Sequence, residues 1–440
     1  MYHNKSITAF IARVLLACLV LASTNLWAQL QNTSSRIDFA TAPDKEVTGT
    51  LTLEAAIDHA LLANPELSAA VNELQAVEGA VMQAGILPNP EVSTSVEDTQ
   101  NRATRSTTVQ INQLIELGGK RAARIASAER GRDVATADLA AKRQEIRASV
   151  VGAFFAVLVA QERVRQVEDL FGLAQRATQA ASRRVTAGKI SPVDETRARV
   201  AEAQARVELT QAKGDLVAAR KRLAATWGSS TPRFAQVEGR TDSLPEILSS
   251  EEIERRLSNS PVLARARHEA DRFSALADVE RSRRMPNVTV SLGTKKVEEL
   301  GRNQTIVGVS IPFPLFDRNQ GNVFQALRRA DKARDELSAT EVRLNSEVTQ
   351  NQERLQALVV AATTLQDEIL PGARSAYSAA AKGFELGKFS FLEVLDAQRT
   401  FFQARAQYLN SLSEAHRTAA ELERVLGSTN SMSPSKQSRP

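Results

Sequence analysis

Cysteine is almost missing from this 440-residue chain: the only one is Cys18. Aromatic residues make up 5%, little for a globular core of this length. Beyond the N-terminal leader the histidines are His59, His268 and His416, far apart in sequence and each in a helical pattern. None forms a ligand pair at helical spacing, and the zinc-binding His-Glu-x-x-His is absent. There is no Walker loop and no nucleophile elbow. These absences argue against disulfides, thiolate metal sites, thiol catalysis and resident cofactors, so an enzyme is not expected. The formal charge of +5 is modest, and Lys and Arg alternate with Asp and Glu, so no nucleic-acid-binding patch is expected.

The first residues form a leader. Lys5 and Arg13 precede an apolar run at 14–22 and small or polar residues at 23–28. This is the pattern of a secretory signal peptide, with cleavage expected after Ala28. Leu15-Leu16-Ala17-Cys18 resembles a lipoprotein box, but four apolar residues between Arg13 and Cys18 are too few for a signal-peptide core. Cleavage would remove Lys5 and Arg13, lower the charge from +5 to +3, and leave no cysteine. Residues 29–50 lack periodicity and read as a flexible leader.

From there the chain says the same thing twice. Residues 53–62 suggest a short helix ending at Asn64-Pro65; a second helix runs towards Leu87 and stops at Pro88-Asn89-Pro90. Residues 91–99 and 105–114 alternate with period two around a polar turn, as in a hairpin. A proline-free helical pattern then covers 119–187, a rod on the order of 100 Å long. Val150, Phe154, Val157, Val164, Val167 and Phe171 form its coiled-coil seam. Gly188 ends the rod, Ser191 and Pro192 start a return helix over 191–227, and 229–248 read as a linker. Ser260-Pro261, Pro286-Asn287, strands at 288–296 and 303–313, a long helix at 319–386 and a return helix at 390–426 follow. The landmarks recur at 196 to 202 positions, so 51–228 and 249–427 are internal repeats, with 428–440 an expected disordered tail. Pro371-Gly372 should kink or weaken the second rod.

No run of eighteen apolar residues survives signal cleavage, so the four strands are the remaining membrane-spanning element. Open strand edges are not tolerated in lipid, and single-chain barrels start at about eight strands. Several copies must therefore contribute to one barrel if these strands span a membrane. On the second return helix Phe391, Leu395, Phe402, Leu409 and Leu412 form one apolar column; Val394, Phe401 and Tyr408 form another at sevens. Two columns suit a helix with neighbours on both sides, as in a cylinder wall.

Gln113-Leu114-Ile115-Glu116-Leu117-Gly118-Gly119-Lys120-Arg121 and Pro314-Leu315-Phe316-Asp317-Arg318-Asn319-Gln320-Gly321 mark the two passages from strand to long helix. With them the chain resembles the TolC family of outer-membrane efflux proteins, and within it the cobalt–zinc–cadmium resistance branch. The resemblance implies a mainly α fold with a small β part: duplicated helical hairpins form a trimeric tunnel, and four strands per protomer complete a 12-stranded barrel. It implies a Gram-negative outer membrane, a homotrimer, a periplasmic adaptor (membrane fusion) protein and an inner-membrane proton-driven pump of the RND type. The cargo it implies is divalent heavy-metal cations.

The family's tunnel narrows at its periplasmic tip through acidic rings. Leu392-Glu393-Val394-Leu395-Asp396 matches that motif, so the resemblance assigns Glu393 and Asp396 to a constriction. Their i, i+3 spacing shares one helix face. Threefold symmetry would make two carboxylate rings, a filter for cations. Asp194 matches Glu393 in the first repeat, but Arg197 replaces the second acid. Phe384 and Phe389 stand where some members carry a Tyr–Arg latch, implying an apolar constriction instead. Gly188, Lys189, Ile190 and Ser191, with Gly387, Lys388, Phe389 and Ser390, would meet the adaptor. Other readings are a channel for organic toxicants, a periplasmic coiled-coil adaptor, or a secreted enzyme with helical decoration. Two hairpins with little β structure disfavour the adaptor, and no catalytic constellation supports the enzyme.

Overall fold

Capping residues and prolines set the helix boundaries in the computed structural model, which describes residues 49–239, 243–386, 388–389 and 391–427. The expected signal peptide, most of the leader and the tail lie outside the described residues, as do Gly387 and Ser390; so do the side chains of Phe384, Glu385, Phe391 and Leu392. The Thr52 hydroxyl accepts the Ala55 N–H at 3.3 Å and opens α1 (Leu53–Ala63). Asn64 caps α2 (Pro65–Ala84) by accepting the Leu67 N–H at 2.9 Å, and Pro65 fills its first turn.

The duplication extends to single hydrogen bonds. Asn64 Nδ2 donates to the Thr226 carbonyl at 2.8 Å, while the Ser260 hydroxyl donates to the Val425 carbonyl at 2.5 Å. Just beyond, Gly228 (φ +82°) and Gly427 (φ +79°) turn the chain against Pro65 and Pro261. Both glycines adopt the left-handed conformation that side chains disfavour. Thr226 and Val425, like Gly228 and Gly427, are 199 positions apart.

A four-stranded antiparallel sheet has the order β2 (Glu91–Glu97), β3 (Ser106–Ile115), β5 (Val288–Val297), β6 (Arg302–Ser310). Its register aligns Val92, Ile111, Leu292 and Val307 in one row across all four strands. Opposed residues share a face, so this row is one apolar rung, and it is exposed in every strand. Val290 with Val309 forms the next rung, and Val109 continues the face between threonines. The other face is mostly polar: one row runs Ser93, Gln110, Gly293, Ile306 and the next Ser95, Thr108, Lys295, Gln304. Asn112 donates to Ser93 across it at 3.1 Å.

The helices form a layer continuous with the sheet. α3 (Lys120–Thr186) is one unbroken helix of 67 residues. Away from the sheet α4 (Pro192–Ala225), α3, α9 (Phe391–Leu426) and the pair α7 (Gln320–Thr364)/α8 (Leu370–Glu385) lie side by side in that order. Nearer the sheet the order is α2, α3, α6 (Pro261–Ser282, preceded by the short α5, Ser250–Ser258), α7. On α3, Val150, Phe154 and Val157 are fully buried. One 18-residue window of α3 reaches a mean hydropathy of 1.2, within the range of membrane spans, but 44% of it is buried inside the protein. α4 packs on α3 through Ala198, Ala205, Ala212 and Ala219, buried at strict sevens. On α9 Val394, Tyr408, Leu409 and Leu412 are buried, and Leu395, Phe401 and Phe402 are half-buried.

One expectation needs correction and another takes a specific form. Residues 229–248 are not a plain linker: β4 (Phe234–Glu238) pairs in parallel with β1 (Gly49–Thr52), so the end of the expected leader is also ordered. No period-two pattern announces β4, because the inward residues Phe234 and Val237 are three apart, and its partner lies more than 180 positions earlier. Gln161 on α3 fixes the pair by donating to the Val237 carbonyl at 3.0 Å and accepting its N–H at 2.8 Å. The second rod, expected over 319–386 with a kink or weakening at Pro371-Gly372, is interrupted at Leu365–Ile369 by a π-helical segment. There the Leu370 N–H reaches back five residues to the Leu365 carbonyl. Pro371 lacks an N–H and crowds the carbonyl four residues earlier; the widened turn absorbs the misfit.

Candidate functional site

The first tip is a helix stop followed by a helix start. Gly188 (φ +69°) lets the Lys189 N–H return to the Arg184 carbonyl at 2.8 Å, and the Gly188 N–H bonds Val185 at 2.9 Å. Ser191 caps α4 by accepting the Val193 N–H at 3.2 Å, with Pro192 in the first turn. Gly188, Lys189 and Ser191 are exposed and Ile190 is half-buried. The acids that follow are neutralised locally: Asp194 faces Arg197 at 3.8 Å and Glu195 faces Arg199 at 2.6 Å.

The second tip differs in packing and charge. The Lys388 N–H bonds the Gly383 carbonyl at 2.8 Å, and Phe389 folds back so that its ring lies where a Cβ on residue 383 would sit. Gly383 is therefore required by its neighbour's ring. Phe389 remains 46% exposed despite this contact. Along α9, Glu393 and Asp396 are both exposed, while Val394 and Gln398 between and after them are buried at 2% and 1%. The two carboxylates thus share the outward side of a helix whose other side is packed. The placement of Phe384's side chain, Gly387 and Ser390 lies outside the described residues.

Above the tip, charge pairs hold the helices in register. Arg405 of α9 meets Glu162 of α3 at 3.1 Å, and Arg354 of α7 meets Glu414 of α9 at 2.8 Å. The hydrogen bond from Arg417, aided by the charge of Arg354, holds the Glu414 carboxyl below the usual carboxylate range. His416 stacks on Phe155 with ring centres 3.8 Å apart, and its Nε2 lies 2.9 Å from the Ser243 carbonyl. Burial lowers its pKa. Sequence reasoning missed this contact: an isolated histidine in a polar heptad carries no signal of its partner 261 positions away. Among the described residues no group of three His, Cys, Asp or Glu side chains could hold a metal ion.

A duplicated helical hairpin joined to a sheet that is apolar on one face, mostly polar on the other and open at both edges has the features of a channel-forming membrane protein. The chain belongs to the outer membrane efflux protein family, whose pattern matches residues 56–229 and 253–428. It is 50% identical over 383 residues to the cobalt–zinc–cadmium resistance protein CzcC of Cupriavidus metallidurans, covering 87% of this chain and 91% of that one. A membrane protein from Pseudomonas aeruginosa shares the fold at 19% identity and TM-score 0.73, over 85% of this chain and 90% of that one. The outer membrane protein VceC of Vibrio cholerae shares it at 20% identity and TM-score 0.69, over 85% and 96%. The chain is thus an outer-membrane efflux protein.

Proposed function

We propose that three copies form the outer-membrane exit duct of a tripartite, proton-driven efflux system that exports divalent heavy-metal cations. The observation carrying the duct is the open four-stranded sheet. Its edge strands β2 and β6 leave backbone groups that lipid cannot satisfy, so β6 of one copy must pair with β2 of the next. A head-to-tail contact that repeats three times closes a ring of twelve strands. The helical layer is open at the same two edges. On α4 the exposed Val193, Val200 and Val207 recur at sevens, on the side away from the buried alanines. Val360 of α7 and Ile369 of the π segment are exposed on the opposite edge and can receive them. The polar sheet face would then line the lumen and the apolar face would meet lipid.

Metal as cargo is supported by the similarity to a cobalt–zinc–cadmium resistance protein. No resident metal site is needed for this, because a duct passes ions that a partner pump has selected. Glu393 and Asp396 would form the constriction, with Phe389 beside them, and the exposed tip residues from Gly188 to Ser191 would meet the adaptor. The test is growth of a deletion strain on zinc, cobalt, cadmium and organic toxicants, with size analysis of the purified protein. Sensitivity to the metals and a trimer are expected. Sensitivity to organic toxicants alone would overturn the cargo, and a monomer in detergent would overturn the duct.

A further inference from the structure

The passage from β6 to α7, marked in the sequence by Pro314 to Gly321, borders a groove of about 620 Å³ that the duct does not use. Arg281, Arg284 and Met285 at the end of α6 form one wall; Phe313, Pro314 and Arg318 form the other. Its lining holds three guanidinium groups and no carboxylate. Arg281 is bonded to Asp278 at 2.7 Å, outside the groove. Among the described residues Arg284 and Arg318 have no ion pair, so their charge is available.

The position of the groove identifies an occupant. Val307, Val309, Ile311 and Phe313 are successive odd-numbered residues, all exposed, and Phe313 is 86% exposed. Val307 and Val309 belong to the apolar sheet face, and Ile311 and Phe313 continue the same alternation past the end of β6, so the groove lies just beyond that face. Under the outer-membrane reading, on which this inference rests, that depth is the headgroup region of the periplasmic leaflet. Exposed aromatic and apolar side chains there meet acyl chains, and the planar fork of Arg matches phosphate oxygens. We propose that each copy binds one anionic phospholipid here, its phosphate between Arg284 and Arg318 and an acyl chain along Phe313 and Ile311.

The experiment uses the full-length protein extracted from outer membranes and delipidated in mild detergent. Phosphatidylglycerol or phosphatidylcholine is then added at equal concentration and retained lipids are counted by native mass spectrometry. Phosphatidylglycerol is expected to saturate at one per chain and to be retained about tenfold better than phosphatidylcholine, the size two cations near a membrane surface allow. Arg284→Gln with Arg318→Gln should abolish the preference, Arg284→Lys with Arg318→Lys should restore part of it, and Arg329→Gln on the exposed side of α7 should leave it intact. Should the double glutamine variant lose its trimer, each single variant is measured, with a drop of about threefold expected. Equal retention of the two lipids by the wild-type trimer, or a preference that survives the glutamine variants, overturns the proposal; the latter is expected if a neighbouring copy covers the groove. Competition by inorganic phosphate as strong as by the lipid would also overturn it. Failure to recover an outer-membrane trimer would instead strike the duct itself.

Discussion

The two repeats share strand register and the left-handed glycine that follows each return helix, yet differ at their tips. At equivalent places 199 positions apart, the first carries Asp194 and Arg197 and the second Glu393 and Asp396. The first pair joins opposite charges at 3.8 Å; the second places two acids on one exposed helix face. The rods differ likewise: α3 is continuous, and its counterpart is broken by the π segment before Pro371. Duplication supplied a scaffold twice, and divergence left an acid–base pair at the first tip and two acids at the matching places of the second. A ring built from such copies alternates the two kinds of hairpin, so a charge carried by one repeat is presented three times.

The sharpest way to break this comparison is Gln161. Its counterpart 199 positions on is Val360, which is exposed. Gln161→Leu strands both the N–H and the carbonyl of Val237 in a buried place and should cost about 2–4 kcal/mol. Val360→Gln should change stability by less than about 0.5 kcal/mol. Thermal unfolding of the two variants measures this, and equal losses would mean that the small parallel sheet is not held by the first repeat alone.

Next in size is Gly383, whose counterpart is Arg184. A valine at 383 must displace the Phe389 ring and should cost about 1–3 kcal/mol, as overpacking does. Adding Phe389→Ala should recover most of the loss. The same unfolding measurement decides; an unchanged Gly383→Val variant would place the ring elsewhere.

The repeat was legible because its markers are backbone chemistry: Asn64-Pro65 and Ser260-Pro261, Gly188, Ser191 and Pro192 act on neighbours a few residues away. The strands were legible for the same reason, since Val92 and Val96 alternate with serines whatever lies opposite. What escaped depends on distance. β4 needs β1 and Gln161, and Phe389 on Gly383 needs a turn geometry that no spacing encodes. Pro371 announced a disturbance, but its form as a widened turn depends on how the π segment itself is held by α9, as in the hydrogen bond from Tyr408 to Gln366 at 3.2 Å.

The acidic tip offers a test with little effect on stability, since exposed charges contribute about 0–1 kcal/mol. Glu393→Ala with Asp396→Ala should lower the cation preference of the channel in planar bilayers, measured by reversal potential in a salt gradient. Asp194→Ala, already offset by Arg197, should leave it nearly unchanged. A double variant with wild-type selectivity, or an equal effect of Asp194→Ala, would remove the functional difference between the tips.

The smallest expected difference is set by pH. His416 stands where the first repeat has the exposed Val217, which cannot titrate. Burial lowers its pKa in the folded protein, so the unfolded chain binds the proton more readily. Stability from this residue is complete above the ordinary histidine value of about 6.5, declines as pH falls through it, and levels off below the depressed folded value. His416→Phe keeps an aromatic ring against Phe155 and removes the charge change. It should therefore flatten the slope of melting temperature between about pH 5 and 7, the range in which histidine responds. A variant as steep as the wild type would assign the acid sensitivity to the carboxylates, with Glu414 and its two arginines the first place to look, because that carboxyl too has a depressed pKa and loses its pairing as pH falls.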